Sequence, residues 1–245
     1  MKTVVVSGGS SGIGFATVKR FINEQYLVIN LDVQPMPFKH ENLLSFLCDV
    51  SSPEAIHSTI NEVKKQVKVV DVLVCSAGVH YSATLLESSE ADFDRLIDVN
   101  LKGCFFLTKA ILPIMMDNKK GSIIYVGSDQ TLIAKKNSSL YGMTKAALGG
   151  LTKSTALDYA PFGIRTNLVA AGTVDTPLVD KVMQQYCHKN NLNLEDVINF
   201  EKEEFPLKRI AHPKEIADLI YFLSSDQALF MTGAIIHIDG GYTAQ

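Results

Sequence analysis

Tyr141 and Lys145, a tyrosine and a lysine four residues apart, stand at the opening of the longest helical pattern in this 245-residue chain. Residues at i and i+4 share a helix face, so the phenol and the ammonium can point into one cleft. A free phenol titrates near pH ~10, too high for a base near neutrality. A positive charge about 4 Å away, at an effective dielectric of about 20, favours the phenolate by about 4 kcal/mol. That equals about 3 pKa units, which suits the pair to acid/base work on a carbonyl or a secondary alcohol. Taken alone, such a pair is equally ordinary on an exposed helix. Upstream of Tyr141, the apolar run 122–126 ends at Gly127-Ser128, where a hydroxyl can reach the same substrate oxygen. Asn100, after Asp98-Val99, brings a further polar group at the start of another helical stretch.

A second set of residues suits a nucleotide. The first β-branched run, Thr3-Val4-Val5-Val6, leads into Ser7-Gly8-Gly9-Ser10-Ser11-Gly12-Ile13-Gly14 and then a helical pattern. Glycine there lets the backbone turn tightly and approach a pyrophosphate held at the helix N-terminus. The spacing is G-x-x-x-G-x-G rather than G-x-G-x-x-G, so the turn alone is a weak signal. The next apolar run ends at Asp32, 18 residues beyond Gly14. A carboxylate at that strand end meets the adenosine ribose hydroxyls and repels a 2′-phosphate. No Arg or Lys lies among Gly9, Ser10 and Ser11. The expectation is NAD in preference to NADP. A plain structural reading also exists, in which Asp32 only caps a strand-end turn.

The elements that must carry these residues follow from periodicity. Strand-like runs occupy 3–6, 27–31, 43–48, 70–75, 122–126, 164–169 and 234–238. Helical patterns cover 12–24, a stretch from Pro53, 88–117, 139–160 and a stretch from Pro213. Seven apolar strands alternating with helices predict a single α/β domain over 1–245: a Rossmann-type, doubly wound parallel sheet with helices on both faces. The carboxyl ends of its strands form the ligand crevice. The segment 172–212 breaks the alternation and is predicted to be an irregular substrate lid.

Composition narrows the function classes. A net charge of -3 offers no basic footprint for nucleic acid. Lys135-Lys136 reads as an exposed loop. Cys48, Cys75, Cys104 and Cys187 show no ligand spacing, so neither a metal nor a disulfide is expected and a reducing, cytoplasmic setting fits. A β-branched run directly after Met1-Lys2 leaves no room for a signal sequence. No apolar stretch approaches the ~20 residues of a membrane span.

Taken together, these motifs resemble the short-chain dehydrogenase/reductase family along essentially the whole chain. T-G-x-x-x-G-I-G appears as Ser7 to Gly14, N-N-A-G as Cys75-Ser76-Ala77-Gly78, N-V-N as Asp98-Val99-Asn100, and Y-x-x-x-K as Tyr141 to Lys145. P-G-x-x-x-T appears as Ala171 to Thr176, and Asp239-Gly240-Gly241 matches the C-terminal signature. The resemblance implies a tetrad of Asn100, Ser128, Tyr141 and Lys145. In it Ser128 steadies the substrate oxygen and Tyr141 exchanges its proton. Lys145 lowers the tyrosine pKa and holds the nicotinamide ribose, and Asn100 positions a relay water. It further implies cofactor contacts from Gly8, Ser10, Ser11, Gly12, Ile13, Gly14, Asp32, Asp49, Val50, Ala77, Gly78, Gly172, Val174 and Thr176, with Asp49-Val50 at the adenine. Three departures stand out: Ser7 keeps a hydroxyl, Cys75-Ser76 removes amides that tie the central strands, and Ala171 removes a proline before the lid.

The resulting expectation is an NAD-dependent dehydrogenase of a secondary alcohol, with 172–177 similar to members acting on small hydroxy acids and sugar-derived alcohols. An NADPH-dependent 3-oxoacyl-thioester reductase is the alternative within catalysis, and a nucleotide-sensing protein without turnover the alternative outside it. His80, Gln130 and Leu178 are the candidates for lining the substrate pocket. Small residues Ala146, Ala147, Gly149 and Gly150 on the 139–160 helix allow close approach of another element. Family members commonly pair that helix across subunits, which implies a homotetramer, or failing that a dimer.

Overall fold

Alternation at period two decides which face each strand residue serves. In β1 (Thr3–Ser7), Val5 packs on one side of the sheet and Val4 and Val6 on the other. The same division recurs along β2 (Leu27–Asp32), β4 (Val72–Cys75), β5 (Gly121–Val126) and β6 (Ile164–Ala171). β3 (Leu43–Leu47) and β7 (Ile235–Ile238) form the edges. The computed structural model describes residues 1–244 and orders the strands β3-β2-β1-β4-β5-β6-β7, every neighbouring pair parallel. This is the doubly wound α/β sheet that the sequence pattern predicts. Strand order reverses between β1 and β4, which places a crevice at their carboxyl ends.

Helices cover both faces. α1 (Gly12–Asn23) and α8 (Pro213–Ser224) bury Val18, Phe21, Ile216, Ile220 and Leu223 on one side. On the other, α2 (Pro53–Gln66), α4 (Gly103–Asp117) and α5 (Ser139–Tyr159) bury Ile56, Ile60, Leu107, Ile111 and Leu148. All four cysteines are free and buried, and among the described residues no three His, Cys, Asp or Glu side chains cluster as a metal site would need.

Two segments differ from the sequence expectation. α3 (Glu90–Leu96) starts at a Ser89–Asp92 capping box and runs into α4 through a π-helical segment, Ile97–Lys102. Asn100 therefore sits inside one long helix rather than at the start of a new one. By length and apolar composition, Glu90–Asp117 could cross a membrane, yet 50% of its apolar window is buried within this fold. The segment 172–212 is not irregular: it holds α6 (Pro177–Asn190) and α7 (Leu194–Glu204). Thr176 accepts from the Val179 N–H with Pro177 in the first turn, and Asn193 accepts from the Glu195 and Asp196 N–H groups. These are ordinary helix starts. The helices they start are weakly anchored. α6 buries only Met183 and Cys187, and α7 buries nothing among the described residues.

Ile123, fully buried in β5, touches the core that supports the catalytic edge. Ile123→Ala should lower stability by about 2–5 kcal/mol, read as a lower urea midpoint with an unchanged slope.

Candidate active site

The glycine turn after β1 is shaped by close backbone approach. Gly8 has φ +71°, and a Cβ there would lie 2.7 Å from the Ala77 backbone. A Cβ on Gly14 would lie 2.0 Å from the Gly8 carbonyl oxygen. Beyond the turn, the start of α1 is chemically bare. Among the described residues Ser11 makes no side-chain cap there, and the first turn carries no acid. α2, α3, α6, α7 and α8 each have both a side-chain cap and an acid in the first turn. Free N–H groups and the helix dipole therefore face the crevice, where a pyrophosphate fits.

A continuous cleft of about 560 Å³ runs along this edge, within the range of ligand pockets. Its walls include Gly8, Ser11, Gly12, Ile13, Gly14, Asp32, Asp49, Val50, Ala77 and Gly78, together with Tyr141, Lys145, Thr176 and Leu178. The Asp32 carboxylate accepts from the N–H groups of Ser10 and Gln34, both at 2.9 Å, so it caps its turn and also lines the cleft. Asp49 likewise caps a turn by accepting from the Ser51 N–H and hydroxyl. The cations on these walls are Arg95, from α3, and Lys145; neither comes from the glycine turn or the loop after β2.

Three predicted cofactor residues fall away from the cleft walls, and Asn100, Ser128, His80 and Gln130 do not line them either. Ser10 turns inward, its hydroxyl donating to the Gln34 carbonyl at 2.9 Å. Val174 belongs to the core on the α1–α8 side. Gly172 borders a separate small cavity with Phe205 and Asp239. Thr176 caps α6 and lies against Gly12, whose Cβ would meet its methyl at 3.2 Å.

At the chemical end, one interlocked cluster forms. Asn100 accepts from the Val79 N–H at 2.8 Å, and its amide donates to the Val79 carbonyl at 2.9 Å and the Thr144 hydroxyl at 3.1 Å. It thus ties the loop after β4 to α5, with one Oδ1 lone pair left for a water. Lys145 is buried, donates to the Val126 carbonyl at 2.9 Å, and holds its Nζ 5.6 Å from the centre of the Tyr141 ring. Ser128 donates to the Asp129 carboxylate at 2.7 Å and is near enough to Tyr141 to favour its phenolate. His80 lies against the tyrosine ring at 4.5 Å between centroids. Gln130 is buried, and its Oε1 has no hydrogen-bond partner among the described residues.

The electrostatics correct one expectation. Burial pushes the Tyr141 phenol up to about 12, with the negative charge of Asp129 adding to the rise. Lys145, whose own pKa burial pulls down, holds its Nζ 5.6 Å from the ring centre. That is farther than the separation of about 4 Å expected from the sequence, so its attraction for a phenolate is weaker. Sequence reasoning missed Asp129 and Lys135, which form an ion pair of 2.7 Å behind Ser128. Lys135 had read as a solvated loop residue, and the six-residue gap to its partner matches no helix or strand period.

The chain matches, over residues 8–243, a family profile described as enoyl-(acyl carrier protein) reductase. It is 35% identical to the oxidoreductase UcpA of Escherichia coli (strain K12), covering 99% of this chain and 94% of that one. It is 32% identical to the 3-oxoacyl-[acyl-carrier-protein] reductase FabG of Thermotoga maritima, covering 98% and 97%. A short chain dehydrogenase family protein from Francisella tularensis superposes with a TM-score of 0.93 at 37% identity, covering 100% of both chains. The aldohexose dehydrogenase AldT of Thermoplasma acidophilum superposes with a TM-score of 0.94 at 36% identity, covering 100% and 94%. ElxO with NADP bound superposes with a TM-score of 0.89 at 31% identity, covering 100% and 99%.

Gly14→Ala should weaken NADH binding by at least about tenfold, because the added Cβ meets the Gly8 carbonyl; titration followed by the fluorescence of NADH itself measures this. A pH effect follows from His80, which burial, with the charges of Lys135 and Lys145, pushes from 6.5 down to about 4. Between those two values the unfolded chain binds the proton and the folded one does not, so stability falls as pH falls through that window. Replacing His80 by Gln should flatten this part of the stability–pH curve, measured by urea unfolding from pH 4 to 7.

Proposed function

This chain belongs to the short-chain dehydrogenase/reductase family, and from that premise we propose an NAD-dependent oxidoreductase that moves a hydride between nicotinamide and a secondary alcohol or ketone. The observation that carries this reading is that Tyr141 and Lys145 share one cleft with the glycine turn at the start of α1, with Asn100 buried behind them and tied to Thr144, and Ser128 buried at the end of β5. Bound there, oxidised nicotinamide supplies the hydride acceptor and a positive charge. Tyr141 takes the hydroxyl proton in oxidation and returns it in reduction. Ser128 holds the substrate oxygen beside the phenol. Lys145 keeps a positive charge under the tyrosine and holds the nicotinamide ribose, while Asn100 fixes the loop after β4 and a relay water. Gly8, Ser11, Gly12, Ile13, Gly14, Asp49, Val50, Ala77, Gly78 and Thr176 form the remaining cofactor surface.

Asp32 supports NAD as the preferred cofactor, since its carboxylate opposes a 2′-phosphate and no cation of the cleft comes from the adjoining loops. The second reading, an NADPH-dependent 3-oxoacyl-thioester reductase, draws on the relative of that activity and on the NADP-bound neighbour. For the substrate, a small polyol or sugar-derived alcohol is favoured by the aldohexose dehydrogenase neighbour and by the segment Gly172 to Pro177. His80, Gln130 and Leu178 would line its pocket, under α6 and α7. A homotetramer is supported by open space at Gly150 and by the exposure of Leu157 on α5 and Phe105 on α4. Four buried, free cysteines suit a cytoplasmic setting.

An NAD-coupled screen of hydroxy acids, polyols, aldoses, cyclic alcohols and hydroxysteroids should find turnover. In Tyr141→Phe that turnover should drop about 10²–10⁴-fold while NADH binding persists; full activity in the variant would overturn the mechanism. Asp32→Ala should erode the preference for NAD over NADP, and an unchanged ratio of kcat/KM values would refute the cofactor assignment.

A further inference from the structure

The loop between β5 and α5 contains a buried ion pair to which the reaction above assigns no task. Asp129 is 2% exposed, and its Oδ2 lies 2.7 Å from Lys135 Nζ. Lys135 in turn packs over the ring of Tyr242, 4.4 Å from the centroid. The other carboxylate oxygen, Oδ1, takes the Ser128 hydroxyl at 2.7 Å and the Gln130 N–H at 2.8 Å. An ionised carboxylate accepts hydrogen bonds and donates none, and a serine hydroxyl has one hydrogen to give. In this structure the Ser128 proton goes to Asp129, and its oxygen accepts from the Gln130 N–H at 3.2 Å. To hold a ketone oxygen, Ser128 must turn that one proton from Asp129 to the substrate.

A buried carboxylate next to the substrate-holding serine carries a large desolvation cost, and its charge opposes the negative charge a phenolate base must bear. Lys135 is the group that offsets both. The remaining charged and titratable groups at this corner come from four elements. His80, on the loop after β4, lies against the Tyr141 ring and is kept neutral by burial. Lys145, on α5, is engaged with the Val126 carbonyl. Glu201, on α7, acts on Lys135 and is itself held by the Thr173 hydroxyl at 2.5 Å. Tyr242 comes from the C-terminal segment. Of these, Asp129 is the one negative charge that bears on Tyr141.

We propose that Asp129 and Lys135 act together as a positioning pair that directs the Ser128 hydroxyl and sets the pH range over which Tyr141 works as a base. The proposal rests on Tyr141 being that base. It makes the two members pull in opposite directions. Without Lys135, the Asp129 charge stands uncompensated beside Tyr141, the phenolate is disfavoured, and the rising limb of alcohol oxidation moves to higher pH. With Asp129 neutralised, the phenolate is favoured and the limb moves to lower pH. A pair that only braces the loop would move both variants alike.

The test uses Lys135→Gln, which removes the charge and keeps most of the side chain's reach over Tyr242, and Asp129→Asn, which keeps an acceptor for Ser128 and the Gln130 N–H. Two readouts are taken on NAD-saturated protein: the pH profile of kcat/KM with an alcohol from the screen, and the NMR titration of ¹³Cζ-labelled tyrosine, with Tyr141 assigned by its loss in Tyr141→Phe. Opposite shifts of about half a pH unit or more, upward in Lys135→Gln and downward in Asp129→Asn, with the double variant close to wild type, are expected. Unmoved titrations, or shifts of the same sign, overturn the proposal even if both variants lose stability. Opposed NMR shifts in a protein that oxidises no alcohol would uphold the pair's action on Tyr141 while removing the oxidoreductase reading.

Discussion

The active edge depends on how closely two backbones approach each other where strand order reverses. Gly8, in a left-handed conformation, presses against Ala77, and the Ser7 hydroxyl accepts from the N–H groups of Ser76 and Ala77 at 3.2 and 3.3 Å. Any side chain at position 8 would drive the loops after β1 and β4 apart. Everything downstream uses that closeness. The start of α1 reaches the sheet edge because Gly14 can sit on the Gly8 carbonyl, and the loop after β4 is then near enough for Asn100 to clamp both polar groups of Val79. The third bond of Asn100, to Thr144, carries the constraint onto α5 one residue before Lys145. Cofactor edge and acid/base pair are thus parts of one hydrogen-bonded unit.

That unit concentrates charge in a dry place, and its energetics differ from the simplest reading of a tyrosine beside a lysine. Burial raises Tyr141 and lowers Lys145, so each group alone resists its working state. The balance is supplied by fixed partners: the Val126 carbonyl on Lys145, Ser128 on the phenol, and Lys135 on Asp129. In the function proposed above, the positive nicotinamide ring would add to these partners in favouring the phenolate. Such coupling would tie proton transfer to the presence of the hydride acceptor.

Most of the sheet was legible in the sequence because its strands obey period two and its first turn needs glycines for steric reasons that leave no substitute. Asp32 and Ser128 at strand ends, and Tyr141 in the first turn of α5, were legible because a doubly wound sheet gathers strand ends and helix starts along one edge. The π-helical segment around Asn100 was not, since no residue pattern marks the place where a helix widens by one residue per turn. Helices α6 and α7 left a signal that sequence reasoning passed over. The caps Thr176-Pro177 and Asn193 are followed by apolar residues at helical spacing, such as Val179, Met183 and Cys187, or Leu194, Val197 and Ile198, although little of either stripe is buried. Val174 shows the limit of carrying a motif over whole, because its side chain serves the core while its neighbour Thr176 faces the glycine turn.

The departures from the family pattern make sense in this frame. Cys75 and Ser76 replace amides that would tie the central strands, yet the loop they begin is held by Ser7 on one side and Asn100 on the other. Cys75 itself is 1% exposed and fills the core between β4 and α4, a place where a small apolar side chain packs better than an amide would. Ala171, in place of proline, stands opposite Ile238 of β7, and the bond to the Ile238 carbonyl comes from the Gly172 N–H at 3.2 Å, where the chain turns. The rigidity that a proline would give the entry to α6 is taken over by Pro177 in the first turn of that helix and the Thr176 cap before it. Each substitution moves a constraint to an adjacent residue rather than removing it. That is why an edge with an altered motif still brings Ser128, Tyr141 and Lys145 together.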